Sequence, residues 1–439
     1  MSFIGLDLGS TSIKAALLDP ASGTITHVRS RPFPDPVPGQ PALWFEIDPE
    51  PVIAHVRDLI AELANLSPTP CTGLLACSQM GGVILVTPDG QQHRTNYLSW
   101  RDQRVLEPHP GGHGTYFEEL QRRTTEDELT AIGRELRPGS TPGLLFWLRE
   151  NGLLPAGTVA VNLTDYVLSR LCGTPPRQEA TLALGTLDLQ TRTWQHDWFD
   201  RLGLNEIAWP ELIAHDEPAC CCKIAGQSIP CYPAIGDQQA ALYGAELVEG
   251  ELSLNISTGS QAAVLTSSLV PGDYQTRPYL GGQYLNTITH LPAGRSLNAL
   301  VGLLGELAAA EGHPLRDPWS KIAEAVAKAE PSELSVNLAF FAGSLGVHGS
   351  IEQIRLENLT VGHLFLAAFE NMAANYELCA SRLQPNRDWQ RIVLSGGLAQ
   401  RFPRLRELIG QRLAGPIRMV DAAEETLQGL LRLAKDLIA

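Results

Sequence analysis

Two stretches in opposite halves of the chain share one pattern: an apolar run, a short turn of Gly, Ser and Thr, then a second apolar run. They are Phe3 to Asp19 (FIGLDLGSTSIKAALLD) and Glu251 to Leu265 (ELSLNISTGSQAAVL). Apolar runs bounded by turn residues predict β-hairpins whose strands bury at least one face. Two copies predict a duplicated architecture with one hairpin per domain. Around them strands and helices alternate. Gly73 to Ser78 and Gly82 to Val86 read as short buried strands, and Ile392 to Leu394 as a strand running into Ser395-Gly396-Gly397. Apolar positions at helical spacing predict helices over Asp48 to Leu66, Thr164 to Leu171 (capped by Asn162 or Thr164), Ser296 to Ala310, Leu364 to Leu383 and Glu424 to Leu437. Mixed order of this kind indicates an α/β protein.

The length of 439 residues is too great for one ordinary core and predicts two or three domains. The expected division is 1–245 and 246–439, with a ligand cleft between the halves, since binding sites favour domain interfaces. The formal charge of -15 and the lack of a basic cluster argue against nucleic acid and anionic membrane as partners. No apolar run approaches a membrane span, and the N-terminus opens on a strand-like segment, unlike a signal peptide. The eight cysteines include the consecutive Cys220, Cys221 and Cys222 and no Cys-x-x-Cys, which reads as a reduced cytosolic protein with buried thiols. Arg31 to Pro41 is expected to be a surface loop, and Glu107 to Gly114, with His109 and His113, a mobile one.

Four short motifs carry chemistry. Asp7-Leu8-Gly9-Ser10-Thr11 follows a strand; Gly9 lets backbone approach a phosphate, while Ser10 and Thr11 add donors. Asp7 repels phosphate but suits a hydrated Mg²⁺ that bridges phosphates. Asn255-Ile256-Ser257-Thr258-Gly259-Ser260 repeats the donor-rich turn in the other half. A polyphosphate needs donors on both sides, so two related turns mean more than one. Ser395-Gly396-Gly397 permits a flat ring to pack on backbone and exposes a helix N-terminus. Ala234 to Ala241 places Gly236-Asp237 at a helix start. Asp237 is either a helix cap or a general base, and a helix dipole would keep its pKa low. Such a base suits phosphoryl transfer, where hydroxyl orientation matters more than strong basicity.

Taken together, the ordered motifs resemble the FGGY family of carbohydrate kinases, of the actin-like ATPase (ribonuclease H-like) fold, over nearly the whole chain. The resemblance implies ATP and Mg²⁺ as cofactors and a small-molecule sugar as substrate. It implies a first phosphate loop at Gly9, Ser10 and Thr11, a second at Ser257, Thr258 and Gly259, and an adenosine loop at Gly396 and Gly397. Asp237 stands as the catalytic residue and Asp7 as the metal-side carboxylate. Gln79, Met80, Trp100, Asp102 and Asp237 stand on the sugar side, with Trp100, Asp102 and Arg104 matching a Trp-x-Asp-x-Arg segment. A structural ion pair of Asp102 with Arg101 or Arg104 is the competing reading of that segment.

Within the family, Gly236-Asp237-Gln238-Gln239, the stretch 254–258 followed by Gln261, Ser296-Leu297-Asn298 and the stretch 358–363 resemble sedoheptulokinases. The activity implied is ATP-dependent phosphorylation of a sugar primary hydroxyl, a ketose such as sedoheptulose, in a cytoplasmic monomer or homodimer. The alternatives are xylulokinase or another sugar or polyol kinase, or a non-catalytic, nucleotide-switched protein of the same superfold. The chain departs from the family at four places: Gly81 stands for a His, Leu144 for a Lys, Leu345 for an Arg, and Leu398 for the third glycine of the adenosine loop.

Overall fold

The computed structural model describes residues 1–112, 114–224, 226–420 and 423–438. It divides into two compact units: one built from 1–246, 276–284 and the C-terminal segment 423–438, the other from 247–275 and 285–420.

The first unit opens with the predicted hairpin, β1 (Ser2–Leu8) and β2 (Ser12–Asp19), extended by β3 (Thr24–Pro32). Helix α1 (Pro49–Leu66) follows, and its start is fixed locally. The Asp48 side chain accepts from the Glu50 N–H at 3.0 Å, and Pro49 occupies a first-turn position where a missing N–H costs nothing. Val52, Ile53, Val56, Leu59, Ile60 and Leu63 then form its buried stripe.

Strand β4 (Cys71–Ser78) lies parallel to β1, and α1 carries the chain to it from β3 at the sheet edge. Helix α2 (Leu163–Cys172) is capped by Asn162 and ends at Gly173, whose φ of 69° is the left-handed stop that glycine tolerates. Strands β5 (Cys220–Ile224), β6 (Gln227–Cys231) and β7 (Ile235–Gly236) complete a seven-stranded sheet. Its order is β5-β6-β4-β1-β2-β3, with β7 also paired to β4. Helix α3 (Asp237–Gly244) leaves the end of β7.

The second unit repeats the hairpin with β8 (Glu251–Ile256) and β9 (Ser260–Thr266). Strand β10 (Tyr284–Leu291) flanks β9. Helices α4 (Gly294–Ala310) and α5 (Val361–Leu383) follow, then β11 (Arg391–Ser395), parallel to β8. A short helix α6 (Gly397–Arg401) and an edge strand β12 (Ile417–Met419) close the sheet. The core here gathers on α5, where Phe365, Phe369, Met372 and Tyr376 are fully buried against Leu254, Ile256 and Leu394.

Two expectations are corrected by the fold. The last helix, α7 (Glu425–Asp436), was placed by sequence in the C-terminal half but belongs to the first unit. It packs on α3 through a small-residue contact: the backbones of Ala240, Gly244 and Gly429 approach so closely that neither glycine has room for a Cβ. Composition gives no hint of this, because an amphipathic helix does not announce its partner. The second correction concerns the cysteines. Cys172, the last residue of α2, and Cys220, the first of β5, form a disulfide, with Cα atoms 6.1 Å apart. The helix end lies directly over the strand, a proximity that sequence separation hides. Cys71, Cys77, Cys222, Cys231 and Cys379 are buried thiols, and Cys221 is exposed.

Among the described residues no helix is long and apolar enough to cross a membrane. His113 lies outside the described residues. His109 sits 3.4 Å from the Glu150 carboxylate and edge-on to Tyr116.

Candidate active site

Three parallel strands of the first unit end side by side. On β1 and β4, Asp7 is in register with Cys77; on β4 and β7, Ser78 is in register with Gly236. Strands in a sheet lie about 4.8 Å apart. The strand ends therefore carry Asp7 and Asp237 on opposite sides of β4, one strand away each. Ligands of open α/β sheets bind at such carboxyl ends.

Burial is the main cause of the pKa rise at Asp237, and the Asp7 charge adds to it; the carboxyl reaches about 7. Its Oδ1 accepts from the Gln238 N–H at 2.8 Å, and Arg277 opposes the rise, but neither cancels it. The low pKa expected from a helix dipole is therefore corrected: lost hydration and a neighbouring carboxylate outweigh the dipole of an eight-residue helix. Gly236, not Asp237, occupies the cap position, and Asp237 is the first helical residue. Asp7 is also raised, chiefly by burial, while a 2.8 Å hydrogen bond from the Thr426 hydroxyl and the charge of Lys14 pull the other way. Lys14 pairs with Glu424 at 2.6 Å. Between the two carboxylates, burial and both their charges drive the Cys77 thiol far up, so it is neutral.

Side chains that sequence reasoning did not select hold Asp237 in place. The Thr181 hydroxyl accepts from the Gly236 N–H at 2.9 Å and donates to Glu179, a relay lying wholly in the buried interior. Arg277 donates to Glu135 at 2.5 Å and to the Gln238 side chain, which fixes the start of α3. Thr426 lies more than 400 positions from Asp7 along the chain (a separation of 419), and no local pattern marks such a contact. A Thr two residues after a Glu, or an Arg in a strand, carries no signal until the topology is known.

The sugar-side residues divide into two groups. Gln79 is buried, and its Oε1 accepts from the Trp100 indole N–H at 3.0 Å. Its Nδ-equivalent amide nitrogen, Nε2, is buried and finds no partner among the described residues. Met80 packs on Gly236, where a Cβ would stand 2.8 Å from its Sδ, so the glycine brings Met80 against the Asp237 turn. Gly81 has φ +83°, in the left-handed region where a side chain is strained, which accounts for the glycine at this departure from the family pattern.

Asp102 goes the other way. It is fully buried, and both oxygens are spent on the Phe45 N–H at 2.6 Å and on Arg104 at 2.8 to 3.0 Å. Arg104 in turn bonds Glu46 and lies 4.1 Å over the Trp44 ring. The expectation that Asp102 touches sugar is thus corrected: its valences are saturated inside the fold, and it braces the loop that presents Trp100.

The first donor-rich turn spans Gly9 to Thr11 between β1 and β2; Gly9 closes it by donating to the Ser12 carbonyl at 3.1 Å. In the second unit, Ser257, Thr258 and Gly259 form the matching turn. The Ser257 hydroxyl bonds the Asn255 side chain and the Gly259 carbonyl, both at 2.9 Å. Gly294 and Arg295, at the start of α4, donate to the carbonyls of Ser257 and Thr258. Asn255 is in register with Ser395, and its amide donates to the Ser395 hydroxyl at 2.8 Å. Gly396, at φ +88°, lies so near Ile256 that a Cβ would stand 2.5 Å from its carbonyl oxygen. The two glycine motifs of this half, far apart in sequence, therefore form one surface, and Gly397 opens α6 with free space around it.

A profile of the FGGY family of carbohydrate kinases, N-terminal domain, matches residues 2–244. Sedoheptulokinase of Mus musculus is 24% identical over 472 aligned positions, covering 96% of this chain and 95% of the relative. A xylulose kinase of Klebsiella pneumoniae is 27% identical over 277 positions, covering 59% and 52%. Among solved structures, ligand-bound xylulose kinase from Lactobacillus acidophilus superposes with a TM-score of 0.85 at 17% identity, over 100% of this chain and 89% of that one. Plasmodium falciparum glycerol kinase with ADP gives 0.83 at 17% identity, over 100% and 89%. These likenesses give the fold as the two-domain, actin-like α/β architecture.

Proposed function

The chain belongs to the FGGY family of carbohydrate kinases, and from that premise we propose that it transfers the γ-phosphoryl group of ATP to a primary hydroxyl of a ketose, sedoheptulose being the favoured acceptor. The observation that carries the chemistry is the half-buried carboxylate of Asp237, with a pKa near 7, set across β4 from the Asp7 strand. A base of that pKa is ionised above neutrality yet takes a proton readily.

Asp237 accepts a hydrogen bond from the sugar hydroxyl and aims its oxygen at the γ-phosphorus. As the new O–P bond forms and the bond to the β-phosphate oxygen breaks, the hydroxyl proton passes to Asp237 and ADP leaves. Thr181 and Arg277 fix the angle of the Asp237 turn, since a small misplacement of a reacting group costs heavily in rate. Gln79 and Met80 shape the acceptor side, with the unpartnered Gln79 amide offering a donor to a sugar oxygen; Trp100 orients that amide. Hydroxyl and backbone donors of the Gly9–Thr11 and Ser257–Gly259 turns serve the phosphates, and Gly396 and Gly397 leave room for the nucleoside.

Asp7 fits a divalent cation: it is a carboxylate at a strand end, near a second carboxylate and Glu424, so the local charge is negative in excess. Mg²⁺ bound through water there would supply charge neutralisation on the phosphates.

Sedoheptulose is favoured because the alignment to sedoheptulokinase spans almost the whole of both chains, whereas that to xylulose kinase spans little over half. The test is ADP release over sedoheptulose, xylulose, ribulose and glycerol, with the phosphorylated product identified. Xylulose turning over fastest would overturn the acceptor assignment. ATP hydrolysis that ignores every sugar would remove the kinase reading itself.

A further inference from the structure

Four of the cysteines gather at the β5–β6 edge of the first unit's sheet and where α2 ends over it. Cys220 and Cys231 stand directly opposite each other on the antiparallel pair β5–β6, and Cys222 lies two residues on, on the same face. That face meets the last turn of α2. Cys222 points its Sγ at the Leu171 carbonyl at 3.7 Å, Cys220 points at the Leu168 carbonyl at 4.0 Å, and Cys172 ends the helix. The sulfurs of Cys172, Cys220 and Cys231 all lie within 4.8 Å of one another.

Three features exceed what buried thiols need. First, tetrahedral zinc with Zn–S bonds of about 2.3 Å sets its sulfurs roughly 3.8 Å apart, so Cys231, within 4.8 Å of the other two sulfurs, needs at most about 1 Å of approach, while the bonded Cys172 and Cys220 sulfurs move apart once reduced. Second, the sulfurs gather at a helix C-terminus, where unpaired carbonyls give a partial negative charge that favours a cation. Third, Cys172 and Cys220 are partly exposed and Cys231 is buried, so the site has an entry and a floor. The ligand set is all sulfur, and soft thiolates select zinc or copper(I) over magnesium or calcium.

We propose that, with the Cys172–Cys220 bond reduced, Cys172, Cys220 and Cys231 form a thiolate site for a soft d¹⁰ cation, Zn²⁺ in the first instance, with Cys222 or a water as fourth ligand. The disulfide is the oxidised alternative of the same site. A phosphine reductant opens it: the phosphine is oxidised to its oxide with oxygen from one water, and the two sulfurs each take a proton. Metal entry then releases three protons from the three thiols. Cys172 closes the end of α2 whose other end is tied to the sugar-side strand, where Thr164 donates to Ser78 at 2.6 Å. Ten residues of helix, about 15 Å, separate the two ends. The metal therefore has no part in phosphoryl transfer, and its site stands or falls independently of the kinase reading.

The experiment uses the full chain, reduced with a phosphine under argon, stripped with chelator and titrated with Co²⁺ and then Zn²⁺. One equivalent of Co²⁺ per chain is expected, with a thiolate-to-cobalt charge-transfer band that Zn²⁺ bleaches. Diamide oxidation or prior alkylation should abolish the band. Cys172→Ser and Cys231→Ser should each weaken binding by more than the roughly 10- to 100-fold that loss of an outer-shell partner costs, while Cys71→Ser and Cys379→Ser leave it unchanged. Reduced wild-type protein that gives no band, or a band that persists when Cys172, Cys220 and Cys231 are all Ser, overturns the proposal. Should a serine variant fail to fold, the reduced, oxidised and alkylated wild-type arms decide alone.

Discussion

Replacing Asp237 by Asn separates the catalytic cost from the folding cost of one carboxylate. The Asn keeps the Oδ1 acceptor for the Gln238 N–H and nearly the same volume, so the turn should survive. It cannot take a proton. If Asp237 is the base, turnover should fall roughly 10²- to 10⁴-fold, a barrier increase of about 2.7 to 5.5 kcal/mol. Stability should move the opposite way. The folded-state pKa of about 7 lies above the ordinary carboxyl value of 3.8, so the folded chain binds this proton more tightly than the unfolded chain does. Ionised Asp237 therefore costs stability. The cost is absent below pH 4, accumulates as pH rises to 7 and is complete above it. A shift of that size is worth about 4 kcal/mol at 1.36 kcal/mol per unit. Because Asp237 is only half-buried, solvent screening brings the expected figure to about 2 to 4 kcal/mol. Urea unfolding at pH 5, 6.5 and 8 and the coupled ADP-release assay read both effects. The variant should be less active and, at pH 8, more stable, with the stability gap widening between pH 5 and 8. Full turnover would remove Asp237 from the mechanism; a gap that does not widen would show that its carboxyl is not held against ionisation.

The same pKa predicts that wild-type kcat/KM drops about tenfold per unit below pH 7 for a single ionisation; a flat profile down to pH 5.5 would contradict it. Thr426→Val deletes a charge-assisted hydrogen bond to Asp7, worth about 1.5 to 3 kcal/mol, and pushes the Asp7 pKa further up. The KM for Mg-ATP should rise about tenfold or more, measured against an unchanged circular dichroism spectrum. Thr181→Val leaves the Gly236 N–H buried without an acceptor; stability should fall by about 1 to 3 kcal/mol, and kcat should fall without a matching change in the KM for ATP. Gly396→Ala forces a Cβ against the Ile256 carbonyl in a left-handed backbone, a strain of about 1 to 3 kcal/mol, so weaker nucleotide binding by calorimetry should accompany a lower unfolding midpoint.

What could be read from the sequence follows the range of the physics that writes it. The two hairpins were legible because strand burial and turn chemistry are local: Gly9 to Thr11 and Ser257 to Gly259 sit between apolar runs in both readings. So was α1, whose Asp48 cap and apolar stripe lie within one window. Asp237 could be singled out from Gly-Asp at a helix start, but its pKa could not. That depends on Asp7, brought near by two parallel strand pairings, and on burial that only the folded chain defines.

The same limit explains the errors. Asp102 sits in a motif that resembles a sugar contact, yet its role is decided by Phe45 and Arg104, which occupy its oxygens. A short motif specifies which side chains are present and says nothing about which of their valences remain free. Thr426, Thr181 and Arg277 were invisible for the converse reason: each acts through hydrogen bonds that reach residues distant in sequence, and single hydroxyls and guanidinium groups leave no periodic trace. The cysteines join both cases. Their adjacency in sequence, Cys220 to Cys222, was conspicuous but uninformative, because alternate strand positions send Cys221 outward and the other two inward. What matters chemically is that α2 ends over β5 and that β6 places Cys231 opposite Cys220, and a pairing register is a property of the folded sheet. Site chemistry in this protein is therefore set one step beyond the motifs, by the partners that the sheet order assigns to them.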